Sequence, residues 1–104
     1  MAEFQIELTE EAKRDLSIYP AFERKAITAE IRMQLAHLPL LESKNRKKIR
    51  DTPIATWELR AGKYRIFYEA DAASGTIRIV AIGHMEDNKQ FVRGREMKIW
   101  KPSI

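Results

Sequence analysis

Arg65 sits in the middle of the run Tyr64-Arg65-Ile66-Phe67-Tyr68, and a guanidinium fixed on a strand is suited to bidentate contact with a phosphate. Side chains alternate along an extended chain, so Arg65 points away from Tyr64, Ile66 and Tyr68. If those three pack beneath other elements, Arg65 projects from the open face. The competing use is an internal ion pair with Glu58 or Glu69, which also lie in strand-like runs. Glu58 and Arg60 share one face of their run, and Arg78 shares a face with Val80 and Ile82, so cross-strand pairing can build a charged ladder beside Arg65. His84 closes the last strongly apolar run and lies beside Glu86 and Asp87. Histidine changes charge near neutral pH. Metal-free RNA cleavage needs a base, an acid and a cation converging on one phosphate. Arg65, His84 and Glu86 are the candidate catalytic set, against the plainer reading of His84 as polar surface at a strand end.

Binding candidates lie on either side of that run. Residues 42–51 read ESKNRKKIRD and gather Lys44, Arg46, Lys47, Lys48 and Arg50, a patch that attracts a polyanion or the acidic surface of a partner. Arg60 and Lys63 extend the same RNA-binding set. Tyr64, Phe67 and Tyr68 can stack bases, but their place in a central strand fits core better. Phe91 and Trp100, in a less regular tail from about residue 85, are the candidates for contact with a partner chain. Two histidines and no metal-ligand spacing give no metal site. The four glycines are dispersed, with no phosphate-cradling loop, so no cofactor is expected.

The elements that must position these residues follow from periodicity. Phe4, Ile6 and Leu8 alternate as in a half-buried strand. Thr9 is placed to cap a helix whose first turn carries Glu10 and Glu11, with Ala12, Leu16 and Tyr19 on one face. Pro20 interrupts that helix and can open the next. Ile27, Ile31, Leu35 and Leu38 then form a second helical stripe, widened by Ala26 and Met33 or their neighbours, and Pro39 stops it. Residues 39–55 show neither period and read as a basic loop holding at most a short helical or extended piece. Trp57–Arg60, Tyr64–Ala70 and Ile77–Ile82 read as consecutive strands of an antiparallel meander. The order gives an α+β fold with an N-terminal strand, a two-helix hairpin and a three- to four-stranded meander.

The 104 residues, 44% hydrophobic and 33% charged, suit one domain spanning 1–104 with a single core. There is no cysteine, which excludes thiol chemistry and disulfides. The opening MAEFQIEL lacks the basic start and apolar run of a signal peptide, and no stretch nears the roughly 18 apolar residues that span a bilayer. The expectation is a cytoplasmic protein with no membrane partner. The net charge of +4 matters less than its concentration in residues 42–51.

The segment Trp57-Glu58-Leu59-Arg60-Ala61-Gly62-Lys63-Tyr64-Arg65-Ile66-Phe67-Tyr68-Glu69, followed by Ile79-Val80-Ala81-Ile82-Gly83-His84, resembles the signature of the RelE/ParE toxin superfamily. The resemblance implies the toxin of a bacterial type II toxin–antitoxin pair, neutralised by a small antitoxin and touching DNA only through it. RelE-like members cleave messenger RNA on the ribosome without a metal, whereas ParE-like members bind DNA gyrase. A third implied possibility is a degenerate toxin that acts mainly as an antitoxin-binding partner. Arg65 matches the family's arginine at the scissile phosphate, and Arg60 a further basic position. Thr56 and Glu58 stand where the RelE enzymes carry lysines, Met85 where an arginine or histidine is common, and Phe91 near the catalytic tyrosine. The resemblance therefore implies translation inhibition by messenger cleavage, with the ribosome as partner and gyrase as the alternative target.

Overall fold

The computed structural model describes residues 4–36, 45–49, 55–93 and 95–97. Strand β1 (Gln5–Leu8) leads into helices α1 (Glu10–Ser17) and α2 (Ala21–Leu35), followed by strands β2 (Arg46–Lys48), β3 (Trp57–Ala61), β4 (Tyr64–Asp71), β5 (Thr76–Glu86), β6 (Lys89–Val92) and β7 (Arg95–Met97). The Thr9 hydroxyl caps α1 by accepting from the Ala12 amide at 3.1 Å. Pro20 takes the N-cap of α2, and its carbonyl accepts from Glu23 and Arg24. Both helices thus begin where the local chemistry of Thr9 and Pro20 indicates.

The sheet runs β2-β3-β4-β5-β6-β7, each neighbouring pair antiparallel, and β1 pairs with β5 in parallel. It is larger than the expected three- to four-stranded meander. Part of the basic loop forms β2, and the tail that seemed less regular supplies the end of β5 and all of β6 and β7. The β5–β6 turn is made by Asp87 and Asn88, both at positive φ (52° and 64°), the backbone that two-residue hairpins favour. Gly62, at φ 61°, opens the turn between β3 and β4.

Both helices cover one face of the sheet. Ala12, Tyr19, Ile27, Ile31 and Leu35 pack on Trp57, Leu59, Ile66, Tyr68, Ile77, Ile79 and Ile82. The expected α2 stripe is buried at Ile27, Ile31 and Leu35, but Met33 is 70% exposed and Ala26 is exposed, so neither widens it. Leu38 and Pro39 lie outside the described residues. The opposite face carries only a small apolar group, Ala55, Phe67, Ala81 and Val92 with Ile49 and Val80.

Strand β5 holds the layers together. One of its edges pairs with β4, and the other is shared, with β1 along residues 76–79 and β6 along residues 83–86. Between those two strands the backbone of residues 80–82 has no strand partner, and a register shift against β4 falls at the same place. Two side chains fill the gap. Buried Asp15 accepts from the Ile82 amide (3.1 Å) and from Arg93 Nε (2.9 Å), while Arg93 Nη2 donates to the Val80 carbonyl (3.0 Å). A buried amide left without an acceptor costs about 1–3 kcal/mol, which explains an acid on the inner side of α1.

Candidate phosphate-binding face

Cross-strand register sorts the site residues by face. Arg60 lies opposite Arg65, which lies opposite Gly83, so all three share the face away from the helices. Glu58, opposite Phe67, and Lys47, opposite Glu58, lie on that face too. Two arginines directly opposed in an antiparallel pair repel each other. Burial pushes the Arg65 guanidinium below its ordinary pKa and Arg60 adds to the effect, while Glu58 opposes it.

The two guanidiniums are held differently. Arg65 Nη1 donates to the carbonyls of Gly62 (2.7 Å) and Tyr64 (2.8 Å) at the β3–β4 turn. Among the described residues its Nε and Nη2 donate to nothing, so the edge with two parallel N–H groups stays open. Arg60 is held by its other end: Nε donates to Glu58 at 3.0 Å, and its side chain is about half exposed with both terminal nitrogens open among the described residues. One fork edge and one fork tip are thus left open on the same face of the sheet, the edges by which arginines take a phosphate.

This face is concave. The second oxygen of Glu58 accepts from Gln90 Nε2 at 3.1 Å, and both residues are buried. Glu58 is on β3 and Gln90 on β6, with β4 and β5 between, a flat-sheet separation of about 14 Å that these side chains cannot bridge. The sheet therefore curls inward above Ala81 and Gly83. Gly83 makes the curl possible: a Cβ there would meet the Phe91 carbonyl and come within 2.7 Å of Val92 Cγ2.

His84 is on the other face, opposite Tyr64 and Phe91. Its Nδ1 is 2.8 Å from the Tyr19 hydroxyl, its Nε2 is 3.5 Å from Glu86, and Phe91 stacks on its ring at 5.7 Å. Burial, with the charges of Asp15 and Glu23, raises the Tyr19 phenol to about 12, so it keeps its proton near neutral pH while hydrogen-bonded to Nδ1. Beside it the Tyr64 hydroxyl donates to Glu23, and Lys63 Nζ lies 3.2 Å from the same carboxylate. The Tyr64 hydrogen bond, then Lys63, holds Glu23 below the usual carboxylate range, while burial and Glu23 raise Tyr64 to about 12.

The structure thus brings His84 and Glu86 together but separates them from Arg65 by the thickness of the sheet. Lys63 pairs with Glu23 beside the histidine cluster rather than with Arg65. In the basic run, Lys47 faces the concave side and is exposed, and Lys48 is exposed on the helix-side register. Arg46 instead turns to α2, donating to the Gln34 carbonyl (3.2 Å) and side chain (3.1 Å) at the helix C-terminus. Phe91 is partly buried against His84. Lys44, Arg50 and Trp100 lie outside the described residues. Periodicity placed Tyr19 on the apolar face of α1 but marked neither it nor Glu23 for the site, which both reach from the junction of the two helices. Nor did it mark Gln90, which needs the curl to meet Glu58. No group of three or more acidic, histidine or cysteine side chains that could hold a metal occurs among the described residues, and no helix among them is long and apolar enough to cross a membrane.

Known proteins were compared with this chain. A family model described as the ParE toxin of the type II toxin–antitoxin system parDE matches residues 6–89. The toxin–antitoxin complex RelBE2 from Mycobacterium tuberculosis contains a chain 28% identical, with a TM-score of 0.73; the match covers 84% of this chain and 97% of that one. The archaeal RelE–RelB complex from Pyrococcus horikoshii contains a chain of the same fold at 20% identity and TM-score 0.60, with 76% and 91% covered. No curated protein matches the sequence at a significant level.

Proposed function

The chain belongs to the ParE toxin family of type II toxin–antitoxin systems, within the RelE/ParE superfamily, and on that premise we propose that it arrests translation by gripping the RNA backbone on the ribosome with Arg60 and Arg65. The opposed pair carries this reading. Two guanidiniums on opposed strand positions of one face, each with one N–H-bearing edge left open, are a ready site for a phosphodiester. Exposed Lys47, two strands from Arg65, extends the positive field along the same face.

The reading extends to cleavage of ribosome-bound messenger RNA. A phosphate held on Arg65 has its growing negative charge stabilised as the 2′-oxygen bonds to phosphorus and the 5′-oxygen leaves, water taking the 2′-hydroxyl proton and protonating the leaving oxygen, to give a 2′,3′-cyclic phosphate and a 5′-hydroxyl end. The imidazole of His84 is on the opposite face and takes no part in this proposal as proton carrier. A cognate antitoxin is the expected partner, since both solved relatives are toxin–antitoxin complexes, with DNA reached only through it. The cytoplasm, where ribosomes are, is the expected compartment.

Induction of the chain without antitoxin, followed by primer extension on ribosome-bound messages, tests the reading. New 5′ ends and growth arrest should appear for the native chain and vanish for Arg65→Ala. Intact messages in arrested cells would refute cleavage. The separation of Arg65 from His84 favours a second reading, in which the chain acts on DNA gyrase as a binding protein; inhibition of gyrase supercoiling by the purified chain would select it. Absence of any arrest on induction would leave antitoxin binding as the role.

A further inference from the structure

Glu58 is a buried acid on the face that carries Arg60, Arg65 and Lys47. Counting charge alone, it should weaken binding of any polyanion. Its geometry says the opposite. Its Oε1 engages Arg60 at Nε, the one nitrogen that leaves both terminal nitrogens free. Its Oε2 engages Gln90, which ties β6 across the top of the sheet. Its charge also offsets the repulsion between Arg60 and Arg65. Without it Arg60, a long side chain about half in solvent, would lose its fixed position on the face. A phosphate would then have to order it again at an entropic cost.

We propose that Glu58 is the positioning residue of the phosphate-binding face: it holds Arg60 beside Arg65 and keeps the face curled through Gln90, so that an acid strengthens the binding of RNA. This rests on the reading of Arg60 and Arg65 as the phosphate grip. Glu58 touches no ligand itself and acts only through the arginine and the amide.

The test is fluorescence-polarisation titration of a labelled single-stranded RNA oligonucleotide with the purified chain, at several salt concentrations. The variants are Glu58→Gln, Glu58→Met, Gln90→Met and Arg65→Ala, each first checked for a cooperative thermal transition. Glu58→Gln raises the net charge by one yet should bind about fivefold to tenfold more weakly, the loss expected when one charge-assisted contact must be reordered. Its dependence of log affinity on log salt should flatten by nearly one phosphate contact. Glu58→Met should lose at least as much. Gln90→Met, which changes no charge, should also weaken binding.

Equal or tighter binding by Glu58→Gln, with Arg65→Ala impaired, overturns the positioning role and leaves the phosphate grip standing. Unchanged binding by Arg65→Ala overturns the grip and the positioning role with it. If both glutamate variants fail to fold, Gln90→Met decides: undiminished affinity there refutes the requirement for the bridge. A second readout is the side-chain Nε–H of Arg60 by NMR. Its exchange with water should be slowed in the native chain and fast in Glu58→Met, a change that loss of stability alone would not confine to this arginine.

Discussion

Replacing Asp15 by asparagine exchanges one carboxylate oxygen for an NH2 group and should be felt throughout the fold. The carboxylate is 3% exposed and accepts two N–H groups, one from Ile82 in β5 and one from Arg93 beyond β6. An amide of the same shape has one accepting oxygen, so one of those donors must face an NH2 group. Arg93 is about half exposed and can turn to water, but the Ile82 amide cannot. Asparagine should therefore keep the bond to Ile82 and give up the one to Arg93. A hydrogen bond to a charged group contributes about 1.5–3 kcal/mol, and partial rehydration of Arg93 places the loss near 2 kcal/mol. For a chain of this size that lowers the midpoint of thermal unfolding by about 8–16 °C. Asp15→Ala also orphans the buried Ile82 amide, adding about 1–3 kcal/mol. Thermal and urea unfolding followed by circular dichroism measure both, and hydrogen exchange at Ile82 should accelerate in the alanine variant alone. A shift below about 2 °C in Asp15→Asn, or equal losses in the two variants, would refute the argument that these side chains complete the open edge of β5.

Arg46→Met removes the donor at the C-terminus of α2 and should lower stability by about 1–2 kcal/mol; RNA affinity should fall less than in Lys47→Met, and the reverse order would show that Arg46 serves the ligand rather than the helix. All three tyrosines, Tyr19, Tyr64 and Tyr68, hold their protons more tightly than free phenols, chiefly through burial. Above the unfolded value near 10 the unfolded chain binds fewer protons than the native one, so stability is intact below pH 10 and is lost as pH rises toward 12. Tyrosinate absorbance at 295 nm should therefore stay low at pH 10.5 and rise together with unfolding; ionisation of folded protein near pH 10 would contradict the burial of these hydroxyls.

Local chemistry announced much of this architecture. Thr9, Pro20 and the apolar stripe of α2 placed the helices, and alternation placed β1, β3, β4 and most of β5. Elements that depend on distant partners were not legible. Strand β2 is Arg46-Lys47-Lys48, three cations with no apolar period, and it is a strand because β3 offers an edge. Strand β6 was signalled only by the Asp87-Asn88 turn, whose positive φ values suit those residues. The sheet faces were readable from Arg65, because alternation put it opposite Ile66 and Tyr68, which are buried under the helices. The separation of Arg65 from His84 needed the register of β4 on β5, which a short motif does not carry. Asp15 did leave a trace: an acid between Ala12 and Leu16 on the inner side of α1 has to find a donor.

The shared edge of β5 also governs when this toxin becomes dangerous. Gln5 pairs with the distant Thr76, and Gln90 must arrive before Glu58 has its second partner. Such distant pairings make folding slow relative to helical proteins. A chain leaving the ribosome can form its helices early but has no place to dock β1 until β5 exists. Fragments from broken messages or stalled synthesis therefore lack the curled face that joins β3 to β6. The complete curled face therefore exists only after β6 has been made, later than either helix.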